Sequence, residues 1–290
     1  MDTTKELTAI ILGNGFEIAY GYKTRYNDFI DSDQFNDLKF QGNNLAKHIY
    51  EVKNIQNWVD VEVEIGKYSY RMSQILPINE FIKQTEVFKR EFEDLRDALS
   101  KYISQQTYTR VSHQKMDNLV AEWIRPALLN RQLKFFVTTF NYSRNDQSII
   151  LNRYKPYLHD SLINFIHGIA ELYSEQPCDI VLGIDENCKH APEHSFIVKA
   201  FNSHTNASQF FENIGLAQKY IIFGCSMGET DYRYFYEILS QKNKQYILYG
   251  FGVDGLIDIR RRIAIITGNY TKFIKENDVR FIDSKQYSNN

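Results

Sequence analysis

Short runs of apolar residues recur along the chain, each ending at a glycine or a polar turn. They predict strands at Thr8–Leu12, Lys134–Thr139, Leu162–Ile166, Asp179–Leu182, Lys219–Phe223, Gln245–Tyr249 and Val279–Ile282. Most of these runs are continuously apolar rather than alternating, which is typical of a parallel sheet that is covered on both faces. Several of the segments between them are long enough for crossover helices. We therefore predict an α/β fold with a mostly parallel sheet flanked by helices.

The first two predicted strands are separated by residues 13–133, a stretch too long to be a single crossover connection. Much of it has the pattern of an amphipathic helix, since apolar residues recur there at spacings of three and four: Phe88, Phe92, Leu95, Leu99 and Tyr102. The segment Trp58–Ile65 alternates like a strand but also places apolar residues on one helical face, and we favour the helix. We predict one domain over residues 1–290 that carries a helical insertion at 36–128.

Composition limits the classes of function. The 290 residues are 43% apolar, enough for a large core, and the formal net charge of −2 gives no general attraction to nucleic acid or to an anionic membrane. The three cysteines form no C-x-x-C pair, which argues against a disulfide framework. Cys188, His190 and His194 lie close in sequence but lack a fourth ligand, so we expect no metal. Without a signal peptide or a long apolar run, the sequence predicts a cytoplasmic protein.

Gly13-Asn14-Gly15 follows the first predicted strand and precedes residues that favour a helix. Glycine lets a ligand approach the backbone closely, and the first strand-to-helix turn of a parallel sheet is a common nucleotide crevice. The N–H groups that open the following helix would favour a phosphate. However, Ile18 stands where a full G-x-G-x-x-G motif has its third glycine. An ordinary structural turn therefore fits the sequence equally well.

Two further predicted strands end in side chains that suit ligand chemistry. The amide of Asn141 could orient a water or hold a ribose, although it could also cap a turn. The imidazole of His167 suits a general base near neutral pH, although a lone histidine at a strand end is more often structural. Since the carboxyl ends of parallel strands meet at one edge of the sheet, we expect both residues beside Gly13–Gly15.

The segment FGCSMGETD, residues 223–231, repeats the arrangement of a strand followed by glycine and small polar residues. Gly224 and Ser226 could approach a ribose or a phosphate. Alternatively, Ser226 and Glu229 have the spacing of a helix capping box. Cys225 is expected to be a small core residue rather than a nucleophile. Together, the turns after several strands favour a nucleotide site at one sheet edge.

These motifs, in this order, resemble the AbiH family of bacterial abortive-infection proteins. The opening LGNGFEIAYGYKTRYNDF is similar to the N-terminal signature of that family. The segments NWVDVEVEIG, FNYS, FIHG, LGID and FGCSMGETD resemble its later blocks. The resemblance extends from residue 9 to about residue 235.

The family in turn resembles sirtuin-like NAD-consuming domains of phage defence, which implies a Rossmann-like fold and NAD as substrate or ligand. By motif, Asn141 and His167 match the asparagine and histidine at the nicotinamide ribose and are the implied catalytic residues. The implied cofactor-binding residues come from two loops: Gly13, Asn14, Gly15 and Phe16, and Gly224, Cys225, Ser226 and Asp231. Glu62 matches a family acid to which we assign no role. Ser143 departs from the pattern, since related domains often have aspartate there, and the lack of paired C-x-x-C motifs argues against protein deacetylation.

We therefore expect an abortive-infection effector that cleaves the nicotinamide–ribose bond of NAD. A non-catalytic nucleotide sensor that acts through partners is the alternative. Because unregulated loss of NAD would harm the host, we expect a latent activity, released by a phage-derived component or by a change in a homo-oligomer. A nuclease fits poorly, because the chain has no basic footprint and no clear carboxylate cluster for two metals.

Overall fold

A six-stranded parallel sheet lies at the centre of the protein. The computed structural model describes residues 7–56, 60–106, 113–129, 134–154, 163–171, 180–202 and 207–287. The strands are β1 Leu7–Leu12, β2 Lys134–Thr139, β3 Ile163–Phe165, β4 Lys219–Phe223, β5 Gln245–Gly250 and β6 Asp278–Asp283. Their order in the sheet is β3-β2-β1-β4-β5-β6, and every neighbouring pair is parallel. The predicted α/β class is confirmed, and the strand order is that of a Rossmann-like fold.

One predicted strand is wrong. Asp179 lies outside the described residues, and residues 180–182 belong to no strand. Ile180 and Leu182 are instead buried in a core built largely from helices, and the N–H of Val181 donates to the carbonyl of His167. An apolar run indicates that a segment is buried, but it does not say what covers it. Here the cover is helical.

Helices account for most of the remaining described chain. In chain order they are α1 Asn14–Tyr20, α2 Tyr26–Ile30, α3 Asp33–Phe40, α4 Asn44–Gln56, α5 Val61–Ile75, α6 Ile78–Gln106, α7 Gln114–Leu129, α8 Asn145–Tyr154, α9 Ala207–Ile214, α10 Tyr232–Leu239, α11 Gly252–Thr267 and α12 Tyr270–Glu276. Short 3-10 helices lie at Pro192–Ile197, Lys199–Phe201, Glu229–Asp231 and Ser284–Tyr287.

The sheet is buried on both faces, as its continuous apolar runs predict. Ile10 and Leu12 of β1 pack with α1, α7 and α8 on one face. Ala9 and Ile11 point the opposite way and pack with α9 to α12 on the other face. Alternate residues of a strand face opposite sides of a sheet, so one short strand supplies both cores.

A third core lies away from the two sheet faces and is built from helices α2 to α6. The helix predicted from the spacing of Phe88 to Tyr102 is confirmed as part of α6. The helical interpretation of Trp58–Ile65 is confirmed from Val61 onward; Trp58 lies outside the described residues. This core also includes residues that follow β3, such as Ile184 and Val198. That residues 36–128 form an inserted unit stays a prediction.

Candidate functional site

A cavity of about 320 Å³ opens between the carboxyl edge of the sheet and the helices of the third core. Strand β1 pairs with β2 on one side and with β4 on the other, so this edge is the point at which the strand order reverses. Open parallel sheets bind ligands at such switch points. The helical side of the cavity includes Asp60, Glu62, Leu99 and Ile103.

Most of the predicted site residues line this cavity. They are Gly13, Asn14, Asn141, His167, Gly224, Cys225, Ser226 and Asp231. Of the other two, which are also among the described residues, Phe16 is buried in the core against Trp123 and Phe223, and Gly15 packs on the neighbouring loop. The roles of all ten in binding or catalysis stay predictions.

The glycines of the two loops lie close together because the loops pack backbone against backbone. A Cβ atom on Gly15 would lie 2.6 Å from the Cα of Gly224, and one on Gly224 would lie 2.4 Å from the nitrogen of Phe16. The N–H of Gly15 donates to the carbonyl of Gly224 at 2.9 Å, and the N–H of Gly13 donates to that of Phe223 at 3.0 Å. The N–H of Gly15, one of those that open the helix and that the sequence suggests for a phosphate, is therefore already bonded within the protein, and the N–H of Phe16 donates to the carbonyl of Gly13.

Asn141 joins the end of β2 to its surroundings. Its Nδ2 donates to a carboxylate oxygen of Asp146 at 2.8 Å and to the carbonyl of Gly13 at 3.3 Å. Its backbone N–H donates to Oγ1 of Thr139, which in turn donates to Asp146. The amide of Asn141 is consequently fixed in orientation where it lines the cavity.

Two buried carboxyl groups, those of Asp146 and Glu17, lie close to this network: Asp146 bonds to Asn141, and Glu17 bonds to Ser143. Burial raises the pKa of Glu17, and the negative charge of Asp146 raises it further, against hydrogen bonds that include one from Ser143. Burial also raises the pKa of Asp146, although Thr139 and Asn141 oppose that shift. Ser143, at which the resemblance to sirtuin-like domains implies aspartate, thus donates to a carboxyl group rather than adding a third acid.

His167 and Asp231 form a hydrogen-bonded pair in the cavity wall, with 2.9 Å between Nε2 and Oδ1. Burial alone would raise the pKa of Asp231, but Lys199 and His167 outweigh it and hold that pKa well below its usual range. Burial, together with the charge of Lys199, lowers the pKa of His167 against the opposing effect of Asp231. An ionised carboxylate only accepts hydrogen bonds, so the neutral imidazole carries its proton on Nε2. Nδ1 then holds a lone pair, and no described residue bonds to it.

Lys199 links this pair to the helical side of the cavity. Its Nζ contacts Asp231 at 2.9 Å and Glu62 of α5 at 2.8 Å, and it donates to the carbonyl of Thr230 at 3.3 Å. Burial alone would lower the pKa of Lys199, but the two carboxylates raise it above its usual value. Our sequence reasoning missed this residue. The sequence feature that could have revealed Lys199 is its position as a single lysine within the apolar run Phe196–Phe201.

Glu62, to which the sequence assigned no role, is the second partner of Lys199. Its other carboxylate oxygen accepts a hydrogen bond from the hydroxyl of Tyr142 at 3.2 Å. Burial raises the pKa of Glu62 to about 7 against the effect of Lys199, and the charges of Asp231 and Asp60 add to the shift. Asp60 is the N-cap of α5, because its carboxylate accepts from the N–H of Glu62, and this places both acids on the cavity.

The remaining predicted positions have different surroundings. Ser226 is exposed at the cavity, and burial raises the pKa of the Cys225 thiol well above its usual value, which makes it a poor nucleophile. His194 is fully buried in the third core, between the hydroxyl groups of Ser69 and Thr85. Cys188 instead contacts the carbonyl of Glu229.

The strand order and the cavity at its switch point define a Rossmann-like α/β protein with an added helical core. The sequence model of the family described as Bacteriophage abortive infection AbiH matches residues 9–251. The chain therefore belongs to the AbiH family, as its motifs predict, and has a role in phage abortive infection.

A search of curated proteins gave no match. Within the described ranges, no helix is both long and apolar enough to cross a membrane. The relation to sirtuin-like NAD-consuming domains stays a prediction.

Proposed function

We propose that this AbiH protein acts in phage defence by hydrolysing the nicotinamide–ribose bond of NAD. The observation that carries the proposal is the state of His167. Asp231 holds the proton of the neutral imidazole on Nε2, and Nδ1 is left as a base without a partner among the described residues. His167 lines a cavity at the switch point of a Rossmann-like sheet, where nucleotides commonly bind.

The proposed reaction needs little acid catalysis, because nicotinamide leaves as a neutral molecule from a cationic substrate. Water attacks C1′ of the ribose, the C1′–N bond breaks, and its electron pair departs with nicotinamide. The proton of the attacking water passes to Nδ1 of His167, while the fixed amide of Asn141 holds a ribose hydroxyl or the water. The products are nicotinamide, ADP-ribose and one proton.

The first test is chromatography of purified protein incubated with NAD. We expect nicotinamide and ADP-ribose from the wild type, and a loss of about 10²- to 10⁴-fold in turnover for His167→Ala, because a general base contributes that much. His190→Ala is the matched control, since His190 is partly buried and does not line the cavity. Unchanged turnover in His167→Ala would remove His167 from the mechanism.

Binding of NAD without products would favour the alternative, a nucleotide sensor that acts through partners, or a latent enzyme. Infected-cell extract should then be added. A latent activity is consistent with the position of the helices, because α5 and α6 form part of the cavity wall through Glu62 and Leu99. A movement of these helices would therefore change the cavity. A displacement of these helices by a phage-derived component or by a change of homo-oligomer would separate Glu62 from Lys199. Neither binding nor products, with extract present, would refute the proposed function.

A further inference from the structure

The cavity carries more negative charge than positive charge. Asp60, Glu62 and Asp231 all line it. Lys199 bonds to Glu62 and Asp231 and is the only lysine or arginine in the described ranges that is buried, at 4% exposure. Arg25 also lines the cavity but is exposed. One buried cation is therefore shared by two buried carboxylates, which leaves an excess of negative charge, and uncompensated buried charge is destabilising.

The neighbouring side chains do not supply the missing positive charge. His167 is neutral, because burial and the charge of Lys199 both lower its pKa. Tyr26 and Tyr142 adjoin Glu62 as neutral phenols, since burial and the charge of Glu62 raise the pKa of each well above its usual value. Glu62 is 5% exposed and both of its oxygens are bonded, so its carboxylate is fixed beside the cavity.

We propose that the ligand supplies this charge, and that Glu62 makes the site select a cationic N-ribosyl pyridinium over an uncharged molecule of the same shape. A second feature of the cavity points to a ligand independently: His167 is 2% exposed, and its Nδ1 has no partner in the described part of the chain. The inference rests on the proposed function, whose substrate is a cation, and assigns to Glu62 the recognition of that charge.

The selectivity should depend on pH through Glu62, whose pKa of about 7 means that its charge is lost in mildly acidic solution. The charged and titratable groups that surround or line the cavity with it are Asp60, Asp231, Lys199, Arg25, Tyr26, Tyr142, Cys225 and His167. Of these, Asp231 and Lys199 keep their charges, because the pKa of Asp231 is lowered and that of Lys199 is raised. Preference for the cation should therefore be larger at pH 8 than at pH 6.

The test compares nicotinamide riboside, a cation, with benzamide riboside, its uncharged C-nucleoside counterpart, by titration calorimetry. The titrations use His167→Ala protein, so that the cation is not consumed. We expect the cation to bind about tenfold more tightly at pH 8, since a buried carboxylate attracts a nearby cation more strongly than an exposed one does. At pH 6 the preference should fall to about threefold or less, because most of Glu62 is then uncharged. Glu62→Gln should remove the preference for the cation without lowering the affinity for benzamide riboside.

Glu64→Gln is the matched control: Glu64 lies on the same helix and is buried, but it pairs with His48 and Lys67 and does not line the cavity. Equal affinities of the two ribosides, a preference that Glu62→Gln leaves intact, or binding of neither riboside would each overturn the inference. The pH comparison requires no substitution at Glu62, so it stands if Glu62→Gln fails to fold. A preference for the cation, with no hydrolysis of NAD by the wild type even when infected-cell extract is present, would support the inference and favour a nucleotide sensor over an enzyme.

Discussion

The ammonium group of Lys199 forms ion pairs with two carboxylates from different parts of the fold, those of Glu62 and Asp231. Glu62 is separated from it by 137 residues in the sequence and Asp231 by 32. Because all three side chains are largely removed from water, each charge depends on the others rather than on solvent. Removing one partner of such a group is more damaging than removing an exposed ion pair, since the remaining charges stay buried.

Lys199→Met keeps the length of the side chain and removes its charge. We expect the free energy of unfolding to fall by about 3–5 kcal/mol, because Glu62 and Asp231 would stay buried without a cation. Lys67→Met is the comparison: Lys67 pairs with Glu64 but is 61% exposed, so its loss should cost less than about 1 kcal/mol. Urea titrations of the two variants measure both values. Similar losses in the two proteins would contradict this account of Lys199.

His194 provides a pH-dependent contribution to stability in the third core. It is 0% exposed, and burial lowers its pKa from 6.5 to about 4. A histidine whose pKa is lowered by folding contributes stability above pH 6.5, and this is lost as the pH falls toward 4. From pH 7.5 to pH 5, wild type should lose about 2 kcal/mol relative to His194→Gln. Urea unfolding at both pH values measures the difference, and a difference independent of pH would disprove the assignment.

At the residue scale, the sequence identifies types of side chain better than it identifies their partners. Asn141 and His167 follow strands, and a parallel sheet brings strand ends to one edge, so their proximity was predictable. Lys199 follows no predicted strand, and its partners come from α5 and from the segment after β4. Phe16 falls on the sheet-facing side of α1 and is buried in the core, a direction that the motif does not reveal.

At the scale of elements, the glycine-bearing loops after β1 and β4 behave as one unit. Both Gly15 and Gly224 lack the room for a side chain because each faces the backbone of the other loop. Gly224 also has a φ of +70°, in the left-handed region that favours glycine. The lack of room for a side chain and the positive φ of Gly224 together make this contact between the loops a rigid floor of the cavity.

Gly224→Ala should therefore be more harmful than the same change at an open glycine. Gly268 has a φ of +67°, but a Cβ atom there would meet nothing within 4 Å, so Gly268→Ala measures backbone strain alone, about 1 kcal/mol. We expect Gly224→Ala to exceed that loss by at least about 1 kcal/mol, since the loops must separate. Thermal or urea unfolding of both variants checks the comparison; equal losses would show that the loops can part freely.

The sheet was more predictable from sequence than its connections. Continuous apolar runs bounded by turns locate β1, β2, β4 and β5 well, because strands buried on both faces carry apolar residues throughout. The same reasoning fails at Asp179–Leu182, since burial by helices leaves the same pattern. Periodicity identifies α6 but does not reveal what its apolar face contacts.

At the scale of the whole molecule, the third core depends on segments distant in sequence. Helices α2 to α6 lie before β2, yet they pack against Ile180, Ile184 and Val198, which follow β3. The helices also face the sheet across the cavity. The helical region is thus completed by the α/β part of the chain.

We predict that a fragment of residues 20–112 does not fold cooperatively by itself. It would expose the surfaces of α5 and α6 that the later segment covers, and those apolar contacts would be lost. Circular dichroism during heating, together with binding of a hydrophobic dye, measures the outcome against the full chain. A sharp transition without dye binding would show that the helices form a self-sufficient domain.

The contact between the two glycine loops joins segments that the ribosome makes at very different times. The loop after β1 leaves the ribosome early, but its backbone partners, Phe223 and Gly224, are made more than 200 residues later. Lys199 and Asp231 are likewise late products. A nascent chain that stops before β4 therefore has neither the floor of the cavity nor the His167–Asp231 pair. An interrupted translation product therefore lacks this cavity, which is completed only in the last stages of synthesis.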